Sequence, residues 1–283
     1  MKRTFYAALA AISLTTGCMA PQQKETAENP ISSDEVKTLQ IGDVKITWIQ
    51  DMAASHSPNI FPDADAGLID SLQLQEGIPS SMSAFLAEQE GSRILFDTGM
   101  GSEQSRLIPL LNFLGLKPAD IDYLYLTHLH GDHIGGMMQG DEIVFPQTAV
   151  YLSQAEYDGW MQMPNEQNAQ AVKTGEAYRE QLHLFQFGDT LPGNVLPIDA
   201  TGHTPGHTAY QIGQILIIGD LIHGAALQLE HPDICARFDM DKEQAIASRK
   251  KILQYARDNG LVIAGMHLPG PAFIRTGHSK EHR

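Results

Sequence analysis

The stretch Thr127-His128-Leu129-His130-Gly131-Asp132-His133-Ile134-Gly135-Gly136 follows directly on a buried-strand pattern, residues 122–127 (DYLYLT). In extended chain, residues two apart share a side, so His128 and His130 face one point. Gly131 lets the backbone turn, and Asp132 and His133 then face another. One strand end thus offers two adjacent half-sites of imidazole and carboxylate, donors that suit Zn²⁺ at about 2.0–2.2 Å. A surface turn with satisfied histidines is the alternative. Four ligand-type residues within six positions argue against it.

A second cluster, residues 201–208 (TGHTPGHT), carries His203 and His207 on a loop stiffened by Gly and Pro. Asp220 follows the apolar run 215–219 (ILIIG), and His267 follows 261–266 (LVIAGM). Ligands in open α/β sheets gather at the C-terminal ends of strands, so all four places belong together.

The flanking sequence supplies the frame. Strands are expected at 44–50, 83–88, 93–96, 149–152, 195–199, 208–212, 215–218 and 261–264, the second and third joined in a hairpin through Gly91. Leu107, Leu110, Leu111 and Leu114 form a helical stripe with Pro109 in its first turn. Further helices are expected over 166–182 and 241–259. The latter has Asp241 and Gln244 as a capping box, Ile246, Leu253 and Ala256 inward, and Gly260 as its stop. This alternation places sheets at the centre and helices outside, an α/β chain. It contains no P-loop, dinucleotide fingerprint or nucleophile elbow.

Composition narrows the chemistry. The 283 residues carry 19 Lys+Arg against 34 Asp+Glu, a formal charge of -15, so nucleic acid and anionic membrane surfaces are poor partners. Two cysteines exclude a disulfide-dense scaffold. Met1-Lys2-Arg3 followed by the ten-residue apolar run 5–14 reads as an export signal, too short to span a bilayer. Residues 14–18 (LTTGC) look like a bacterial lipobox, with Thr15 where Leu is usual. On that reading 1–17 is a signal peptide and Cys18 becomes the lipidated first residue, the only link to a membrane. Residues 18–35 are then a polar tether and 36–283 a single domain. Ordinary cleavage after Ala20, with release into the periplasm, is the rival. Cys235 reads as a small buried residue.

The order His-x-His-x-Asp-His, Gly-His, Gly-Asp and a late His resembles the metallo-β-lactamase superfamily. Phe96-Asp97-Thr98-Gly99 is similar to its early Asp-Thr-Gly element. The resemblance implies a four-layer αββα sandwich of two mixed sheets with outer helices. It implies two Zn²⁺ per chain, other divalent metals also being suited. His128, His130 and His207 would hold one ion, and Asp132, His133 and His267 the other, with Asp220 bridging. Asp97 would support the ligand loops from behind. His203, four residues before His207, would be structural or lie behind the ligands.

The local text of 145–146 (FP), 156–160 (EYDGW), 219–222 (GDLI) and 264–268 (AGMHL) is closest to the methyl parathion hydrolase and acyl-homoserine lactonase branch. The resemblance implies a metallo-hydrolase that uses a metal-bridging hydroxide to cleave a small ester-type substrate: a lactone, carboxylic ester or phosphotriester. Asp132 would pass the proton to the leaving group. His223 stands where lactonases often carry Tyr and would sit on the leaving-group side; a solvated loop residue is its other reading. Trp160 resembles an aromatic wall of the substrate pocket, with packing on the core as the alternative. A thioester hydrolase like glyoxalase II and a non-catalytic zinc-binding periplasmic lipoprotein are the competing classes.

Overall fold

A computed structural model describes residues 31–276. The export signal, Cys18 and the tether up to residue 30 lie outside the described residues. In chain order the first half contains β1 (Val36–Ile41), β2 (Val44–His56), α1 (Ala66–Ser71), β3 (Ile78–Gln89), β4 (Ser92–Phe96), α2 (Leu107–Phe113), β5 (Tyr123–Tyr125), α3 (Gly131–Ile134), β6 (Met138–Gln139) and β7 (Glu142–Ile143). There follow β8 (Ala149–Ser153), α4 (Gln154–Met161), α5 (Asn165–Ala177), β9 (Leu182–Phe185), β10 (Leu196–Asp199), β11 (Thr208–Ile212), β12 (Ile215–Ile217), α6 (Ala225–Gln228), α7 (Lys242–Asp258), β13 (Val262–Ala264) and β14 (Phe273–Arg275).

One sheet has the order β1-β2-β3-β4-β5-β8-β9 and the other β10-β11-β12-β13-β14. Both are mixed: β4, β5, β8 and β9 run parallel, as do β12 and β13, and the remaining pairs are antiparallel. Strand alternation divides the apolar residues between two layers. Ile46, Trp48, Ile94, Phe96 and Tyr125 pack inward with Tyr210, Ile217 and Ile263 of the second sheet. Ile49, Leu95, Leu124 and Val150 face outward onto Leu107, Leu110 and Leu111 of α2, Trp160 of α4 and Ala171 of α5. Ile252, Leu253 and Ala256 of α7 join the inner cluster from the second sheet's side. A sheet covered on both faces needs apolar residues on both, which gives the four-layer αββα sandwich.

Several boundaries differ from expectation for physical reasons. β2 does not stop at Gln50. A bulge between Gln50 and Met52 carries it on to His56, through polar residues that mask the strand pattern. The helix expected to reach 182 ends at Ala177, where the Tyr178 hydroxyl anchors on the Met137 carbonyl at 2.7 Å, and Leu182 begins β9. In α7, Asp241 caps Gln244 N at 3.0 Å, but the Gln244 side chain reaches Ser248 instead of completing a capping box. Its inward face centres on Ala245, Arg249 and Ile252, leaving Ile246 half-buried. Within the stretch read as tether, Ser33–Glu35 forms a 3₁₀ turn, and Glu35 pairs with Arg106 at 3.1 Å.

Candidate metal centre

The ligand-type residues sit at strand ends, as the sequence indicated: Asp97 after β4, the His128–His133 loop after β5, His203 after β10, Asp220 after β12 and His267 after β13. Four overlapping groups of donor atoms converge among the described residues, and two of them are built on the 128–133 loop. His130 Nδ1 lies 2.9 Å from His128 Nε2 and 3.0 Å from His203 Nε2, and Asp220 Oδ2 is 3.4 Å from His203 Nε2 and 3.7 Å from His128 Nε2. On the other side, Asp132 Oδ2 is 3.4 Å from His267 Nε2 and 3.8 Å from His133 Nε2. Asp220 faces this group too, at 3.0 Å from His133 Nε2 through Oδ1 and 3.1 Å from His267 Nε2 through Oδ2.

The donor set fits divalent ions. Ligand atoms on one tetrahedral Zn²⁺ stand about 3.3 Å apart, close to these spacings. His133 Nε2 and Asp220 Oδ1 are buried, face each other and make no hydrogen bond, which is costly unless an ion lies between them. In four of the histidines the other ring nitrogen is already engaged, as ligand imidazoles require. His133 Nδ1 meets Asp97 at 2.7 Å, His203 Nδ1 meets Asp239 at 2.9 Å, His267 Nδ1 meets the Ser81 carbonyl at 2.9 Å, and His128 Nδ1 meets the Thr127 hydroxyl at 3.0 Å.

This geometry corrects the expected ligand set. His203, not His207, joins His128, His130 and Asp220. His207 has both nitrogens committed within the protein: Nδ1 lies 3.2 Å from the Ala200 carbonyl, and Nε2 accepts the Asp220 backbone N–H at 3.0 Å. Gly219 has φ 51°, and a Cβ there would lie 2.4 Å from His207 Nε2, so the ring is packed against the chain that presents Asp220. His207 seats Asp220 and is not itself positioned to coordinate.

Trp160 is also corrected. It is 5% exposed, donates to Glu156 Oε1 at 2.6 Å and meets the His130 ring edge-on at 5.5 Å. It is part of the core behind a ligand and not a pocket wall. His223 is buried, with Nε2 3.2 Å from Asp220 Oδ2 and its ring stacked on His267 at 5.2 Å, which removes the solvated-loop reading. A proton on Nε2 toward Asp220 leaves Nδ1, which is buried and without a partner, as an acceptor. Asp97 lies 2.7 Å from His133 Nδ1 and accepts from Thr127 N and the Thr127 hydroxyl at 2.8 and 2.7 Å.

Three contributors were missed in the sequence. Glu156, inside α4, accepts from Leu129 N, Trp160 Nε1, Thr204 Oγ1 and Gly206 N, and so ties the 128–133 loop to the 203–207 loop. Burial pushes its carboxyl up against the pull of these four donors. α4 itself escaped notice because its inward face is only Trp160 and a carboxylate, Glu156. Asp239 links His203 to the fully buried Arg249, whose guanidinium lies 2.9 Å away. His56, brought in by the bulged end of β2, packs edge-on against His267 at 5.6 Å.

Electrostatics give a pH signature. Burial disfavours charge on His267, but Asp220 and Asp132 outweigh it and raise the imidazole to about 10. His133 is likewise held well above the ordinary range, with Asp220, Asp132 and Asp97 outweighing burial. His130, buried beside His203, falls to about 3. A histidine raised in the folded state stabilises fully below its unfolded pKa of about 6.5, and that stability disappears as pH rises through the folded value. The metal-free chain should therefore melt at lower temperature as pH climbs from about 7 to 10. A metal needs these nitrogens free, and His203, raised by Asp220 and Asp239 against burial, is a third, so uptake at neutral pH should expel roughly two to three protons, and affinity should fall as pH falls. Zinc titration calorimetry in buffers of different ionisation enthalpy reads the release directly; a buffer-independent heat would refute it.

A family model described as "Metallo-beta-lactamase superfamily" matches residues 78–263. The solved structure of AidC, a dizinc quorum-quenching lactonase in complex with a product, is 25% identical, with a TM-score of 0.78 over 86% of this chain and 94% of that one. The hydrolase AbOPH of the beta lactamase superfamily is 28% identical, with a TM-score of 0.77 over 87% of this chain and 94% of that one. An N-acyl homoserine lactonase of Bacillus cereus is 28% identical over 159 residues, 45% of this chain, and the alignment spans 56% of that relative's length. Fold, paired donor groups and family match agree: the chain belongs to the metallo-β-lactamase superfamily.

Proposed function

We propose that the protein is a binuclear hydrolase of small, uncharged ester-type substrates, with lactones first among them and carboxylic esters and phosphotriesters as the related class. The observation that carries this reading is Asp220. Its carboxylate reaches both donor groups, with Oδ1 3.0 Å from His133 and Oδ2 3.4 Å from His203. A lone structural ion needs no such shared, fully buried carboxylate. His128, His130 and His203 would hold one ion and Asp132, His133 and His267 the other. Divalent ions held there supply Lewis acidity, polarising a carbonyl or phosphoryl oxygen and bringing the pKa of water toward about 7.

The chain's own groups divide the remaining work. Asp132 is the most open of the site carboxylates, with its side chain 22% exposed against 3% for Asp220. It is placed to accept a proton from attacking water and return it to the departing oxygen. His223, whose ring burial lowers to about 4, stays neutral and steadies Asp220. The similarity to AidC and to the Bacillus cereus lactonase supports a lactone as substrate. Export, with a lipid anchor at Cys18, remains our reading of the N-terminal sequence.

The test is a panel of lactones, p-nitrophenyl esters, thioesters and phosphotriesters given to the zinc-loaded chain, wild type and Asp220→Ala. Lactone or ester turnover that falls at least about a thousandfold in a folded Asp220→Ala protein is the expected result. A folded, metal-loaded wild type inert across the panel would overturn the reading.

A further inference from the structure

The ring of His267 is held from behind by β3, 186 residues away in the chain. Its Nδ1 lies 2.9 Å from the Ser81 carbonyl, so a proton there turns Nε2 toward Asp132 and Asp220. The same strand grips the backbone around the ligand. Ser80 Oγ donates to the His267 carbonyl at 2.9 Å. Ser81 Oγ donates toward the carbonyls of Leu268 at 2.6 Å and Met266 at 3.2 Å. His133 and His203 are backed by the carboxylates of Asp97 and Asp239, whereas the Nδ1 side of His267 meets a neutral carbonyl. Its placement there depends on hydrogen-bond geometry and not on charge.

The Ser81 hydroxyl does not act alone. Alternation puts Ser81, Ser83 and Phe85 on one face of β3, and Phe85 pairs with Trp48 of β2 in the inner cluster. Trp48 Nε1 donates to Ser83 Oγ at 2.8 Å, and Ser83 Oγ lies 2.7 Å from Ser81 Oγ. The ends of this row fix the direction of every bond in it. An indole N–H can only donate, and a carbonyl can only accept. Ser81 spends its one proton on the Leu268 carbonyl, so Ser83 must donate to Ser81. The row runs from Trp48 N–H through Ser83 and Ser81 to the Leu268 carbonyl, each bond polarising the next. The indole also packs on the same loop further along, where a Cβ on Gly270 would lie 2.6 Å from Trp48 Cη2.

We propose that Trp48, Ser83 and Ser81 are positioning residues. Their hydrogen-bonded row sets where His267 stands, and so sets the zinc affinity of the half-site that Asp132, His133 and His267 would form. The half-site of His128, His130 and His203 is independent of it. The inference rests on the binuclear reading, but its readout is metal affinity and not turnover.

Chelator competition on the full chain should resolve zinc uptake into two steps. Ser81→Ala should weaken one step about 10–100-fold, as loss of an orienting group does, and leave the other within about twofold. Trp48→Phe, which keeps a ring beside Gly270 and removes the N–H, should weaken the same step about two- to tenfold, the worth of one neutral hydrogen bond. Ser83→Thr, which keeps the hydroxyl, should bind zinc as wild type does. In a His203→Ala background the remaining ion should still respond to Ser81→Ala. The double variant Ser81→Ala/Trp48→Phe should match Ser81→Ala within about twofold, because the row is already cut. Two steps that Ser81→Ala leaves unchanged, equal weakening of both, or losses that multiply in the double variant overturn the proposal. Should Ser81→Ala fail to fold, Ser83→Ala carries the same comparison. A wild type that takes up a single ion overturns the binuclear reading alone if that ion responds to Ser81→Ala. If that ion is indifferent, or if no zinc is bound, both fall.

Discussion

His203→Ala is expected to cost the chain one of its metal ions, while His207→Gln keeps both. His203 Nε2 converges with His128 and His130, and no other imidazole in the group can replace it. Its loss should weaken zinc binding at that half-site by more than about 100-fold, beyond what loss of a supporting residue costs. His207 acts through hydrogen bonds to Ala200 and the Asp220 backbone, so its replacement by an amide that still accepts should cost about 1–2 kcal/mol of stability. Metal analysis after dialysis against a weak chelator separates the two variants. Equal zinc loss from His207→Gln would restore His207 as the ligand.

Asp239→Asn should be nearly as damaging, although Asp239 would touch no metal. Its carboxylate joins His203 Nδ1 on one side to Arg249 Nη2 on the other, in a fully buried row. Burial opposes ionisation of Asp239, but His203, His223 and Arg249 outweigh it and hold the carboxyl well below the usual range. An amide presents N–H to Arg249 and removes the counter-charge. Breaking a buried pair in this way costs about 3–5 kcal/mol. The carboxylate that orients His203 is also replaced by a weaker, neutral acceptor, and zinc affinity should drop about 10–100-fold. Melting of the metal-free protein reads the first effect and chelator competition the second. Unchanged zinc affinity would show that Asp239 serves only the packing of Arg249. Because the carboxyl is depressed, its contribution is present above about pH 4 and fades as pH falls further.

The parts of the fold that were legible share one feature: their signal is local. Strand runs such as 93–96 and 208–212 alternate or are uniformly apolar because each strand must bury its own faces. The density of His and Asp at the end of β5 is equally local, since one turn of backbone can aim four donors. Failures cluster where a polar residue occupies an inward position. Asp51, buried in β2, receives Met100 N, the Ser105 hydroxyl, Arg106 N and Leu107 N, anchoring the start of α2. Glu156 does the same for two ligand loops from within α4. A periodicity reading scores such residues as surface and loses the element that contains them.

The choice between His203 and His207 shows the limit most clearly. Both lie on one eight-residue loop, 200–207, rich in Gly and Pro, and spacing alone favours neither. The chain's order of residues was enough to establish the family architecture, the strand-end location of the site and the chemical type of its ligands, because each depends on short-range pattern and composition. Which imidazole coordinates, which aromatic is buried and which exposed, and which distant carboxylates orient the ligands emerged only on folding. Asp239 meets His203 across 36 residues and Glu156 meets Gly206 across 50. Hydrogen bonds of 2.8–2.9 Å select partners by position in space, and separation along the chain does not encode that position.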